Sequence, residues 1–234
     1  MSANFVHLRF HSEYSIQDGI VRLDPILEEV MQQGGVALGI TDSMNLFGAL
    51  RFYSHAIADG IKPIVGCDLW ITNAVHGKRD NPYRLTVYCQ NHEGYLSLSE
   101  LLSRGWMENQ YLGRGEVRLE WLTLENCKGL ICLSGGPQGV IEQHLLEDNK
   151  AEAQAALEQL RVAFPGRFYL EVQRAGRKND EAVVAHIAEL AVETGLPMVA
   201  THPVQFLHRE DFNAHEVRCC IAGGYVLADP HRPK

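Results

Sequence analysis

Short apolar runs alternate along this chain with stretches whose apolar residues recur every third or fourth position. Phe5 to Phe10 predicts a strand. Asp24-Pro25 then offers an N-cap and a proline at the first helical position. Behind it Ile26, Leu27, Val30 and Met31 share a helical face that Gly34-Gly35 brings to an end. Val36 to Thr41 predicts a small strand. Leu46, Phe47, Leu50, Tyr53 and Ile57 line one face of a second helix, closed by Gly60. Pro63 to Val65, Leu69 to Thr72 and Leu85 to Cys89 read as extended. A helix follows across Tyr95 to Ser103, then a strand from Gly129 to Ser134 and a helix from Val140 to Leu146. Ala151 to Phe164 predicts a further helix, Phe168 to Val172 a strand, Glu181 to Glu193 a helix and Pro197 to Thr201 the last clear strand. A helix from about Asp211 to Ala222 completes the order.

Strands that are apolar throughout and separated by helices point to a parallel sheet covered on both faces. The number of such units favours a closed or nearly closed β/α barrel over an open doubly wound sheet. No GxGxxG or GxxxxGK[ST] loop follows any strand, which counts against an open-sheet nucleotide binder. Residues 106 to 118 are the best candidate for an excursion from the barrel. The expectation is one domain over residues 1–234, ending in a linker-like Asp-Pro-His-Arg-Pro-Lys stretch.

Composition narrows the picture. The chain has 234 residues and a net charge of −8. That charge argues against a free-standing DNA binder, because duplex affinity comes from cations that displace counterions. Two thin basic patches, Lys78-Arg79 and Arg114 with Arg118, read as solvated charge, and Glu116 interrupts the second. No run approaches the ~18 apolar residues of a membrane span, and the first residues lack a signal-peptide core. The six cysteines form no CxxC pair, so they read as reduced thiols of a cytoplasmic protein.

In a β/α barrel, functional side chains sit at the C-terminal ends of strands. The candidates there are Arg9, His11 and Asp18; Asp42 and Ser43; Asp68; Arg84; Ser134-Gly135-Gly136; Glu171 to Arg174; and His202 to Gln205. His202, His215 and Glu216 read as surface residues, and His7 as structural. Ser134 before two glycines resembles an oxyanion turn, but no recognisable motif places a histidine base beside it.

The segments VHLRFHSEYSIQDG (6 to 19), ITDSMNLFGALRFY (40 to 53), GIKPIVGCDLW (60 to 70), LICLSGG (130 to 136), FYLEVQR (168 to 174) and MVATHPVQFL (198 to 207) occur in order. With NHEGYLSLSELLS (91 to 103) and DFNAHEVRCCIAGG (211 to 224), they resemble successive blocks of the PHP (polymerase and histidinol phosphatase) domain of bacterial DNA polymerase III alpha subunits. The resemblance implies a distorted, TIM-like barrel of seven strands, whose active members hydrolyse phosphoesters with three metal ions at the strand ends. Bridging ions acidify water and clamp attacking and leaving oxygens.

Matched position by position, this chain departs from that ligand set. His11, Asp18 and Asp68 remain. Arg9, Ser43, Arg84, Gly136, Pro203 and Gln205 stand where the family pattern has ligands. One imidazole and two carboxylates cannot hold three metals, and arginine does not deprotonate to become a ligand. No metal or other cofactor is therefore expected. Arg9 and Arg84 are instead expected to compensate carboxylates among Asp18, Asp42 and Asp68. The alternative has both arginines in solvent.

The resemblance also implies a parent chain that is a DNA-directed DNA polymerase, with the polymerase aspartates lying beyond this segment. The segment itself is then expected to be inactive. Its partners would be the rest of that alpha chain and a separate proofreading exonuclease (epsilon) subunit, with no specific DNA contact and no membrane. Two other readings keep metal. One is a residual phosphoesterase, a pyrophosphatase or 3′–5′ exonuclease, rebuilt from residues such as His202, Asp42 and Glu171. The other is a single-metal site at His11, Asp18 and Asp68.

Overall fold

The computed structural model describes residues 5–75 and 77–229. In chain order the elements are α1 (Leu23–Gln32), β1 (Ala37–Ile40), α2 (Ala49–Ala58), β2 (Lys62–Ile71), β3 (Tyr83–Cys89), α3 (His92–Glu108), β4 (Gln110–Tyr111) and β5 (Arg114–Gly115). There follow β6 (Leu130–Leu133), α4 (Val140–Leu146), α5 (Lys150–Ala163), β7 (Phe168–Gln173), α6 (Asp180–Thr194), β8 (Met198–Thr201) and α7 (Phe212–Gly223). The main sheet orders its strands β1-β2-β3-β6-β7-β8, and β4 with β5 forms a separate hairpin. The chain falls into two compact units, residues 5–66 with 202–229 and residues 67–201.

In the first unit Ala37 to Ile40 pairs in parallel with Lys62 to Val65. The expected strand from Phe5 to Phe10 contracts to single parallel bridges from Phe10 to Ile40 and to Val204. Backbone bonds flank it on both sides: Gly39 N–H to His7 O and Thr41 N–H to Phe10 O, against His11 N–H to Val204 O and Val204 N–H to Arg9 O. Gly39 permits this approach, since a Cβ there would lie 2.3 Å from the Leu8 carbonyl oxygen. The main sheet of the described residues thus has six strands where seven were expected.

Phe10 is fully buried and meets Phe52 edge-on at 5.6 Å between ring centres. Leu27, Leu38, Ile40 and Ile61 complete the core around them. Two local expectations change. Arg22, not Asp24, occupies the N-cap of α1. Asp24 and Pro25 sit in the first turn, where a missing proline N–H costs nothing. Asp24 is turned instead toward α2, where it meets Arg51 Nη2 at 3.2 Å and His55 Nδ1 at 2.5 Å. The buried side of α2 is Ala49, Phe52 and Ala56, while Phe47, Leu50, Tyr53 and Ile57, expected to face the core, are all exposed. The helix has apolar residues on two sides, and periodicity alone could not say which side is covered.

In the second unit β3 runs antiparallel to β6, with Thr86 opposite Leu133, whereas β6–β7 and β7–β8 are parallel. The all-parallel expectation fails between β3 and β6. Apolar strands report burial on both faces, and that burial is the same for either direction. The excursion within 106 to 118 is the end of α3 followed by the β4–β5 hairpin. Its two basic patches converge on the fully buried Glu116. Arg114 Nε donates to it at 2.9 Å and Arg79 Nε at 3.4 Å, while Lys78 pairs with Glu147. The cations that could have formed a phosphate-binding surface are largely consumed within the fold.

Candidate metal centre

Within the first unit, the turn after Phe10 delivers His11 and Ser12, and a short helical turn at Glu13–Ser15 carries the chain on to Asp18. His11 Nδ1 lies 2.9 Å from both carboxylate oxygens of Asp18. Gln205 donates from Nε2 to Asp18 at 2.8 Å. Asp42, just past β1, is 2% exposed. It accepts from the Ser12 N–H at 2.7 Å, from the Ser12 hydroxyl at 2.8 Å and from the Ser15 hydroxyl at 2.8 Å. Burial pushes its carboxyl above the ordinary range, and the serine bonds pull it part of the way back. The Ser43 N–H donates to Ser15 Oγ at 3.2 Å, and Arg9 and Ser43 are both buried. Pro203 lines a cavity with His7 and Val204.

Within the second unit, Arg84 and Thr86 alternate on β3 and so share a face. Both reach Asp68 of β2: Arg84 Nη1 lies 3.4 Å from Oδ2 and the Thr86 hydroxyl donates to Oδ1 at 2.6 Å. The Arg84 guanidinium also lies over the Trp70 ring at 4.2 Å. Gly135 and Gly136, with φ of 101° and 60°, turn the chain after β6. A Cβ on Gly135 would lie 1.9 Å from the Arg84 carbonyl oxygen. Ser134 is fully buried and donates to Glu142 of α4, while its hydroxyl accepts from the Glu171 N–H at 2.9 Å. Glu171 in turn accepts from Gly135 N–H, Gln173 Nε2 and the Thr201 hydroxyl. Desolvation raises the Glu142 carboxyl well above its ordinary value, and Glu171 adds to the rise.

Ser134 is thus a structural hydroxyl. His202 is exposed, but His215 is buried against Phe206, contrary to expectation. Ser12, Ser15, Thr86 and Glu142 were not singled out from the sequence. Only Thr86 had a usable signal, its two-residue spacing from Arg84 on a strand. All six cysteines are free, and burial pushes the Cys89 thiol up to about 11 and the Cys127 thiol up to about 12.

Among the described residues no group of three or more His, Cys, Asp or Glu side chains is arranged to hold a metal ion. The chemistry of the donors agrees: a guanidinium lies against Asp68 and an amide against Asp18. Neither set, taken by itself, fits a three-metal cluster.

Strand-end carboxylates and an imidazole, carried on a β/α sheet, define the class. The chain belongs to the PHP domain family, whose model matches residues 7–175. It is 43% identical over 235 residues to DNA polymerase III subunit alpha of Pseudomonas fluorescens, and 39% identical over 230 residues to that of Escherichia coli. These alignments take in 100% and 98% of this chain but 20% of each relative, so the chain spans a fifth of their length. Two solved structures share the fold. One is a candidate metal-dependent phosphoesterase from Bifidobacterium adolescentis, with TM-score 0.59, 10% identity, and coverage of 92% of this chain and 96% of that one. The other is an amidohydrolase from Chromobacterium violaceum, with TM-score 0.53, 16% identity, and coverage of 92% and 97%. No helix among the described residues is long and apolar enough to cross a membrane.

Proposed function

We propose that this chain is the PHP region of a replicative DNA polymerase III alpha subunit, that it works without metal, and that it serves as a structural module on which the proofreading exonuclease subunit docks. The observation that carries the metal-free reading is the contact of Arg84 with Asp68. A buried carboxylate once served by a metal needs other compensation, and a permanent cation that cannot act as a ligand supplies it. At Asp18 the compensation is different, a neutral amide donor from Gln205. The docking role rests on family resemblance. In this reading the sheet is the family's seven-stranded barrel, with the doubly bridged segment at Phe10 as its shortest strand.

A residual phosphoesterase is the second reading, favoured by the retention of His11 against Asp18. Elemental analysis of the purified chain, with phosphatase and exonuclease assays in added manganese or zinc, separates the two. The metal-free reading expects far less than one equivalent of metal and no turnover that Asp18→Ala or Asp68→Ala abolishes. Near-stoichiometric metal with mutation-sensitive hydrolysis would establish the phosphoesterase. Titration calorimetry with the exonuclease subunit tests docking, and absence of binding refutes it.

A further inference from the structure

Helix α7 carries an imidazole and a thiol that the strand-end chemistry does not use. His215 and Cys219 stand one helical turn apart and so share a face. His215 is 8% exposed, with Phe206 against its ring at 5.3 Å between centres. Phe206 in turn meets Phe212 edge-on at 5.9 Å, and these contacts fix the imidazole in place. Its Nε2 lies 3.5 Å from Cys219 Sγ, while its Nδ1 is buried without a hydrogen-bond partner. Cys219 itself is half-buried, within reach of solvent.

The separation of the two atoms has a second meaning. Tetrahedral zinc, with Zn–S of ~2.3 Å and Zn–N of ~2.0–2.1 Å, spaces sulfur and nitrogen ~3.5–3.6 Å apart. An S–H···N hydrogen bond spans the same distance, so a metal ion can take the proton's place with little side-chain motion. The run His215-Glu216-Val217-Arg218-Cys219 also has the spacing of the H-E-x-x-H zinc helix, with cysteine as the second ligand.

The surroundings favour a cation. Burial first, and then the charges of Asp18 and Glu216, hold the Cys219 thiol above its ordinary range, with Arg218 opposing them. Anions that retain a proton there also attract a dication. Asp18 is already engaged by His11 and Gln205, so it supplies charge and not a bond. Thiolate with imidazole selects zinc-like metals over magnesium or manganese, which prefer oxygen ligands. The pair lies beyond residues 7–175, outside the family match.

We infer that His215 Nε2 and Cys219 Sγ bind one zinc-like ion on α7, with solvent completing its tetrahedral shell. On binding, the thiol proton leaves to solvent and a metal–sulfur bond replaces the S–H bond. Two protein ligands make an open site that empties readily. The site goes beyond the metal-free reading of the strand-end residues and does not depend on it.

The test is titration of the chelator-treated 234-residue chain with cobalt(II), a spectroscopic substitute for zinc. The expected result is a thiolate-to-cobalt charge-transfer band that saturates and that zinc displaces. Cys219→Ser removes the band, and His215→Gln weakens binding at least about tenfold. A second readout needs no variant. Zinc slows alkylation of Cys219 in the parent chain at least about tenfold and leaves the half-buried Cys89 unchanged. Cobalt binding without the thiolate band, or a band that survives Cys219→Ser, overturns the inference. So does equal protection of Cys89. Failure of the metal-free reading shows separately, as hydrolysis that Asp18→Ala or Asp68→Ala abolishes.

Discussion

The two units face one problem, a buried carboxylate in or just past a strand, and they solve it differently. In the first unit Asp42 is held by uncharged donors, the backbone and hydroxyl of Ser12 and the hydroxyl of Ser15. In the second, Asp68 is held by the Arg84 cation with help from Thr86. The same unit contains a third solution. Glu142, 1% exposed and hydrogen-bonded to Ser134, is a carboxyl that desolvation drives well above its ordinary value, toward keeping its proton. Hydroxyl donors leave the net charge in place and only solvate it. A guanidinium cancels it, and a retained proton removes it. These solutions differ in what a mutation exposes and in how they respond to pH.

The largest effect is expected at the cation. Arg84→Ala takes a cation away from the buried Asp68, and urea denaturation should show a loss of about 3–5 kcal/mol. Adding Asp68→Asn should recover much of that loss. A double variant as unstable as the single one would mean that Arg84 acts by packing on Trp70 instead.

The hydroxyl side should respond more weakly. Ser12→Ala removes the hydroxyl donor to Asp42 while its backbone N–H stays, and should cost about 1.5–3 kcal/mol, the range for hydrogen bonds to charged groups. A loss as large as that of Arg84→Ala would erase the distinction between the two solutions.

The carboxyl raised by burial separates itself by pH. An acid whose folded pKa lies above its unfolded value binds more protons when folded. Stability is then full below the ordinary carboxylate range and falls as pH rises toward the raised value. Glu171 from β7, itself a carboxyl, adds to this trend. Glu142→Gln should match the parent near pH 5 and exceed it by about 1 kcal/mol at pH 8, on the scale of one buried polar group. Parallel melting profiles from pH 5 to 9 would show that Glu142 does not titrate in this way. The smallest effect is expected at the exposed cluster of Asp24, Arg51 and His55, where solvent and salt screen the charges. Asp24→Asn should leave the melting temperature unchanged within error.

Much of this arrangement was legible without coordinates. The order of helices and strands followed from apolar spacing, and the strand-end rule picked out Asp42, Asp68, Arg84 and Glu171, each of which lies in a polar network. Ser12 and Ser15 escaped notice because a serine in a turn is ordinary until a carboxylate 27 or 30 residues away is brought to it. Glu142 escaped because a glutamate on a helix usually faces water.

What the amino-acid sequence determined by itself is local and inventorial: the periods that make strands and helices, and the side chains, such as Arg9, Arg84 and Gln205, set beside those strands. What only the tertiary structure decided is pairing. It set the direction of β3 against β6, the side of α2 that is covered, and the choice of serine, arginine or proton for each buried acid. The reason is range. Backbone preference and hydrophobic period act over a few residues, while burial and electrostatic compensation depend on groups far apart in the chain that only the fold brings together.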